Sequence, residues 1–221
     1  MLSTKERKLE RINSGLNDTL STRTYNIILG ACILYGFLMN AIMVATCGPL
    51  FADMNYGIFL IGYFVSCIIG TILTRTNNPV ISFIGYNLVV VPIGAVLTVC
   101  LPNYYMSDIL SAIMVTGIVV VIMMGLSTMH PNVFAKMGTT LLIALLVSIV
   151  AELVAMLLGY GGTIFNWLFI VIFSLYIGYD WNKAQMYPKT LDNAIDSALD
   201  IYLDIINLFI RLLSIIGKKD D

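Results

Sequence analysis

Charged residues are scarce in this sequence. Only 11% of its 221 residues are Asp, Glu, Lys or Arg, whereas a soluble domain carries about 25%. The formal net charge is −1, so the chain has no basic excess with which to bind a nucleic-acid backbone. This composition excludes a soluble enzyme, a disordered chain and a nucleic-acid-binding protein.

Patterns typical of catalytic and metal sites are also missing. The one histidine, His130, stands beside Pro131 without a convincing Ser/His/Asp or Cys/His set, and there is no HExxH, P-loop or GxGxxG motif. The four cysteines form no CxxC or Cys/His pattern, so we interpret them as small buried hydrophobic residues. We expect no enzyme activity and no tightly bound cofactor.

Apolar residues dominate instead. They make up 59% of the chain, and the mean hydropathy is +0.90. A helix needs about 20 apolar residues to cross a bilayer, and short polar breaks such as 77–79 and 130–132 divide the sequence into stretches of that length. The predicted segments one to seven are residues 25–47, 55–74, 80–101, 107–128, 139–158, 163–181 and 194–217.

These segments predict one all-α, polytopic membrane domain over 25–217. The connections are too short for a folded domain outside the membrane, and lipid offers no partners to backbone groups outside helices. A polar tail, 1–24, precedes the domain and a charged tail, 218–221, follows it. The basic first tail and the long first segment argue against a cleaved signal peptide.

Basic residues predict the orientation. If the amino-terminal tail is cytoplasmic, nine of the twelve Lys and Arg residues lie inside and the outer connections hold none. The other three, Arg211, Lys218 and Lys219, leave segment seven open to a full span or a re-entrant helix; an interfacial helix is a third alternative. Short loops and no retention signal favour a bacterial plasma membrane.

Segment seven carries its polar residues on one face. At 100° per residue they fall within about one quarter of the helix circumference. They are Asp196, Asp200, Asp204, Asn207 and Arg211. A central Asp or Arg costs about 2.5–3.5 kcal/mol on insertion, whereas each Leu, Ile or Phe contributes only about 0.3–0.6 kcal/mol. We therefore expect this polar stripe to face an interior formed by other helices.

Three further charged residues lie in or at the ends of other segments. Asp180 ends segment six and Arg75 ends segment two, at similar predicted depth. A solvated carboxylate and a snorkelling arginine are the simpler interpretations of these two. Glu152 lies well inside segment five, where an unpaired carboxylate is costly, so we expect it to face the interior or to stay protonated.

Small residues repeat every four positions in segment two, at Gly62, Ser66 and Gly70. A stripe of this kind lets two membrane helices approach closely. We predict that it is a packing surface, and the last helix is one partner that it would suit.

Segments six and seven contain a recognisable pair of motifs. Ser174-Leu-Tyr-Ile-Gly-Tyr-Asp180 is followed, after a polar turn, by Ala198-Leu-Asp-Ile-Tyr-Leu-Asp204-Ile-Ile-Asn-Leu-Phe-Ile-Arg211-Leu-Leu. These motifs resemble the Bax inhibitor-1 family, and the basic tail and Arg75 before Asn77-Asn78-Pro79 fit it too. The resemblance implies seven transmembrane helices, with the carboxy-terminal helix enclosed by the other six.

The resemblance also implies a function, a pH-sensitive calcium leak. Carried over by motif, Asp180 and Asp204 are the pH sensor and the transient Ca²⁺ contacts, and Arg75 is the latch. Asp196, Asp200 and Glu152 do not match the motif, and we hold them as additional acids of a pore or ion path. The expected partners are the lipid bilayer, H⁺ and Ca²⁺ as the permeant ion.

Simple geometry favours another partner for Asp180. If the turn between segments six and seven centres near residue 189, equal depth pairs Asp180 with Asp200. Asp204 reaches the same depth as Asp180 only if the turn is asymmetric or if the sixth helix extends towards Met186. We keep Asp204 on the motif and hold Asp200 as the rival.

Two carboxyl groups held close together are expected to share a proton and to titrate as a coupled pair. Proton, Arg75 and Ca²⁺ would then compete for the same oxygens. Two other functions stay open: a non-conducting regulator that binds a membrane protease or a cell-death protein, and a proton-coupled transporter of a small solute. We find no internal repeat of the kind that many transporters have.

Overall fold

The protein is all-helical over the residues that the structure, a computed structural model, describes. These are residues 19–51, 55–160 and 163–217, and no strand occurs among them. The all-α prediction is confirmed. Most of the predicted amino-terminal tail and the whole of the predicted tail 218–221, with Lys218 and Lys219, lie outside the described residues.

Seven long helices and two short ones follow each other along the described chain. They are α1 (Thr22–Thr46), α2 (Gly48–Phe51), α3 (Tyr56–Leu73), α4 (Pro79–Cys100), α5 (Met106–Met129), α6 (Pro131–Phe134), α7 (Gly138–Leu157), α8 (Thr163–Met186) and α9 (Leu191–Ile216). The long helices follow the seven predicted segments. The main difference is α8, which continues beyond residue 181 to Met186.

Five of the long helices have the length and composition of membrane spans. These are α1, α4, α5, α7 and α8, whereas α3 is a shorter apolar helix. Large apolar side chains such as Ile118, Val121, Leu146 and Val150 are exposed on α5 and α7. Such surfaces suit lipid and are unfavourable in water. The protein is therefore a multi-pass membrane protein, while the count of seven spans stays a prediction.

Polar residues end the helices where the sequence is least apolar. The side chain of Asn78 accepts hydrogen bonds from the backbone N–H groups of Val80 and Ile81, at 2.9 and 3.3 Å. Pro79, which has no N–H to donate, occupies the first position of α4. Asparagine as a cap and proline at the first turn are favoured at helix starts, so this predicted break becomes a defined helix boundary.

The cysteines are not all buried as expected. None of the four forms a disulfide, and Cys100 is exposed at the end of α4 while the others are half-buried. The expectation of a buried side chain is wrong for Cys100, because a helix surface that faces lipid tolerates a small apolar group as well as a core does.

The described helices belong to two compact units. Unit 1 comprises residues 1–102 and 186–199, and unit 2 comprises residues 103–185 and 200–221. In unit 1, α3 and α4 approach so closely that a Cβ at Gly70 would lie 2.6 Å from the backbone oxygen of Gly85. Ser66 donates a hydrogen bond to the Leu88 carbonyl at 2.7 Å. Two of the three predicted small residues thus pack against α4.

Unit 1 also fixes the start of α9. The Tyr25 hydroxyl donates to the Asn193 carbonyl at 3.2 Å, and Ser82 donates to the Asp192 carboxylate at 2.6 Å. The Lys189 ammonium lies 4.5 Å from the centre of the Tyr25 ring, and burial lowers the pKa of this lysine. The helix that carries the polar stripe therefore begins from a hydrogen-bonded position.

Candidate functional site

A buried pair of acids lies between α8 and α9 in unit 2. Asp180 is 8% exposed and Asp204 is 7% exposed, and their carboxyl groups lie close enough to interact directly. An ionised carboxylate can only accept a hydrogen bond, so a hydrogen bond between the two groups would require a proton on one of them. One oxygen of Asp204, Oδ2, is buried and has no hydrogen-bond partner among the described residues. A proton shared with Asp180 would satisfy an oxygen in this position.

A lysine and a third acid adjoin this pair. The Lys183 Nζ lies 3.3 Å from the Asp180 Oδ1 and 2.6 Å from the Asp200 Oδ2. The side chains of Lys183 and Asp200 are 29% and 42% exposed, so the group runs from a buried end to an open end. We call Asp180, Lys183, Asp200 and Asp204 the acid cluster. Three carboxyl groups, with one shared proton and one ammonium, would leave it with a net negative charge.

The backbone around Asp180 is held by the end of α5 and by α6. Ser127 donates a hydrogen bond to the Gly178 carbonyl at 2.6 Å, and the Asn182 side chain donates to the Pro131 carbonyl at 2.6 Å. Both contacts flank Asp180 on α8. These bonds do not involve the Asp180 carboxyl group, so they can hold the backbone of α8 in either charge state of that group.

The register of α8 against α9 decides which acids meet. Lys183 contacts Asp200, and about one turn further along both helices Asp180 lies beside Asp204. This antiparallel register follows from the extension of α8 to Met186. Both partners that the sequence left open for Asp180 lie near it: Asp204 lies beside it, and Asp200 is joined to it through Lys183. The choice of Asp204 as its partner stays a prediction.

A second polar group lies further along α9. Arg211 donates to both carboxylate oxygens of Glu152 on α7, at 2.6 and 3.0 Å, and to the Asn166 side chain of α8 at 2.9 Å. Its guanidinium lies 4.1 Å from the centre of the Phe169 ring. We call Glu152, Asn166, Phe169 and Arg211 the Arg211 cluster. Glu152 is thus paired with a base, one of the ways in which an intramembrane carboxylate is stabilised.

The remaining predicted residues lie apart from these contacts or in unit 1. The Asn207 side chain donates to the Leu203 carbonyl of its own helix at 2.7 Å. Asp196 is half-buried in the part of α9 that belongs to unit 1, and Arg75 is exposed directly after α3 in the same unit. Their roles in an ion path and as a latch stay predictions.

Three residues of these clusters, Lys183, Asn166 and Phe169, were missed by reasoning from the sequence. Lys183 is three residues after Asp180 and therefore on the same helix face, but it was counted only as a charge that sets orientation. Asn166 gave no comparable signal. Among residues 19–51, 55–160 and 163–217, no group of three or more His, Cys, Asp or Glu side chains is arranged to hold a metal ion.

Known proteins match almost the whole chain. The sequence profile of the family described as "Inhibitor of apoptosis-promoting Bax1" matches residues 17–221. Two proteins of Helicobacter pylori, from strains 26695 and J99, are each 29% identical to this chain over 199 residues, which covers 85% of this chain and 85% of theirs. Both carry the description "Uncharacterized protein". The profile match includes both the acid cluster and the Arg211 cluster.

Proposed function

This chain belongs to the Bax inhibitor-1 family, and from that premise we propose that it is a pH-sensitive calcium leak channel of a bacterial plasma membrane. The observation that carries the proposal is the buried position of Asp180 and Asp204 beside each other. On this proposal a shared proton joins the two acids directly. Its loss therefore changes both the charge of the site and the contact between α8 and α9.

The energetic argument is electrostatic. Two unit charges about 4 Å apart repel by about 4 kcal/mol at an effective dielectric constant near 20. A shared proton removes that repulsion, and when the proton leaves, a cation has to take its place or the two carboxylates have to separate. This makes the pair a switch that proton concentration can bias.

Calcium is the cation that the oxygens favour. Ca²⁺ binds carboxylate, carbonyl and water oxygens and takes 6–8 of them. Asp180, Asp204 and Asp200 supply only part of such a shell, so water would complete it and binding would be weak. Weak binding suits a leak, since an ion that is held tightly cannot leave.

We propose seven spans with the amino terminus in the cytoplasm and α9 enclosed by the other helices. Nine of the twelve basic residues fall inside in this orientation. The burial of Leu199, Ile201, Tyr202 and Leu208 on α9 supports enclosure, since all four are at most 2% exposed. Enclosure would keep the acid cluster away from lipid, where charged groups are costly.

Arg75 is the proposed latch. It follows α3 directly, on the predicted cytoplasmic side. When the pair loses its proton, Arg75 and Ca²⁺ would compete for the charge that is left. Movement of Arg75 would thus couple α3 to α9.

Calcium flux into liposomes that contain the purified protein, measured over a range of pH, tests the proposal. We expect pH-dependent flux in the wild type, loss of the pH response in Asp180→Asn and Asp204→Asn, and a higher basal leak in Arg75→Ala. Asp108→Asn on α5 is the matched control and should behave as the wild type. Absent wild-type flux, or a pH response unchanged in both aspartate variants, would contradict the proposal, and the first result would favour a non-conducting regulator.

A further inference from the structure

We infer that Lys183 is a tethered cation that occupies the acid cluster and competes with Ca²⁺ for it. The inference deepens the proposed function and rests on it. The Lys183 Nζ lies 3.3 Å from a carboxylate oxygen of Asp180 and 2.6 Å from one of Asp200. One ammonium thus bridges two acids on two helices, as a bound metal ion would.

The chemistry of lysine suits a cation that can move out of the acid cluster. Its ammonium is a compact charge on a flexible four-carbon stem, whereas an arginine holds a carboxylate through a rigid, bidentate fork. The Lys183 side chain is 29% exposed, and its partner Asp200 is 42% exposed. The open end of the cluster therefore gives the ammonium a solvated position to move to.

The charge balance makes the competition direct. With one shared proton, the ammonium neutralises one of the two negative charges left on the three carboxyl groups. A Ca²⁺ ion that binds Asp180 together with Asp200 or Asp204 would lie close to the ammonium, and like charges at such a distance repel strongly. Lys183 must move away before the ion binds, so it lowers the apparent affinity for Ca²⁺.

A purely structural role makes a different prediction. If Lys183 only ties α8 to α9, its loss would lower thermal stability and would leave Ca²⁺ affinity unchanged or weaker. Two readouts separate the roles: Ca²⁺ binding to the detergent-solubilised protein by titration calorimetry, and the Ca²⁺ concentration at half-maximal flux in liposomes. Binding does not require conduction, so it tests Lys183 even where the leak itself fails.

The variants are Lys183→Met and Lys183→Gln, which remove the charge, and Lys183→Arg, which keeps it. Lys136→Met, an exposed lysine of unit 2, is the matched control. We expect the two neutral variants to bind Ca²⁺ about tenfold more tightly than the wild type and to reach half-maximal flux at correspondingly lower Ca²⁺. Lys183→Arg should stay within about twofold of the wild type, and Lys136→Met should not change.

The outcomes are distinguishable. Tighter Ca²⁺ binding in both neutral variants supports the inference, whether or not the wild type conducts. Equal or weaker binding in the folded neutral variants overturns it, as does a failure of every variant to bind Ca²⁺. Absent wild-type flux together with tighter binding in Lys183→Met would overturn the proposed leak and leave the tethered cation standing.

Discussion

The two polar clusters on α9 differ in how their charges are balanced. Asp204 and Arg211 are seven residues apart, about 10 Å along a helix axis. Arg211 meets Glu152 through two hydrogen bonds and Asn166 through a third. The acid cluster around Asp204 instead has three carboxyl groups and one lysine.

This difference suits the two clusters to different roles: the Arg211 cluster holds helices together, and on the proposed function the acid cluster exchanges the cation that it binds. In the Arg211 cluster each charge has an opposite charge in a geometry that only that partner fits, because the guanidinium fork matches a carboxylate. In the acid cluster the carboxyl groups outnumber the bases, and on the proposed function a proton, an ammonium or a metal ion would satisfy the same oxygens. We therefore expect substitutions in the first cluster to change stability and substitutions in the second to change flux.

The largest effect should follow from Arg211→Met. The substitution removes the partner of Glu152 and leaves its carboxylate, which is 25% exposed, among apolar helices. Breaking a fully buried ion pair in this way costs about 3–5 kcal/mol, and the partial exposure reduces this to about 2 kcal/mol. Unfolding in detergent, followed by circular dichroism, should show the loss.

A paired substitution provides the control. Glu152→Gln together with Arg211→Met removes both charges and should recover most of the lost stability, since no unpaired charge is left. The pH response of calcium flux should be preserved in the folded fraction of both variants. Unchanged stability in Arg211→Met would mean that the Arg211 cluster does not hold the helices together.

Asp204→Asn should have the opposite profile. An amide has nearly the shape of a protonated carboxyl group and can donate to Asp180 as the shared proton does, so the free energy of unfolding should change by less than about 1 kcal/mol. The ratio of flux between the ends of the pH range should fall at least about fivefold, because the exchangeable proton is gone. Flux assays in liposomes and unfolding in detergent, made on one preparation, test both statements. A large loss of stability with an intact pH response would reverse the assignment of the two clusters.

The sequence indicated where the helices lie better than it indicated which polar side chains contact each other. Apolar runs and polar breaks placed all seven long helices, because the length of a membrane helix and the cost of polar groups in lipid leave few alternatives. The same reasoning named Asp180, Asp204, Glu152 and Arg211 as residues to examine. It treated the polar face of α9 as one stripe, since a helical wheel shows which side chains share a face and not what each of them meets.

The pairs depend on packing that one sequence does not specify. The ion pair of Glu152 with Arg211 needs a particular rotation of α7 against α9. Which acid lies beside Asp180 depends on where α8 ends. The polar residues from Lys183 onward did not indicate that boundary clearly. Element ends are the least certain part of any prediction from sequence, and here an extension of α8 by about one turn brings Asp204 beside Asp180.

Asp200→Asn should have the smallest effect and tests whether the acid cluster has a buried and an open end. Asp200 is 42% exposed, and exposed ion pairs contribute at most about 1 kcal/mol, so the melting temperature should stay close to that of the wild type. Lys183 keeps its contact with Asp180 at 3.3 Å, so the substitution removes one acid and leaves the tethered cation in place. The Ca²⁺ concentration at half-maximal flux should therefore rise about twofold. The pH response should persist, because the proton between Asp180 and Asp204 is untouched. A loss of pH response as large as that of Asp204→Asn would place Asp200 within the proton-sharing group and would remove the distinction between its two ends.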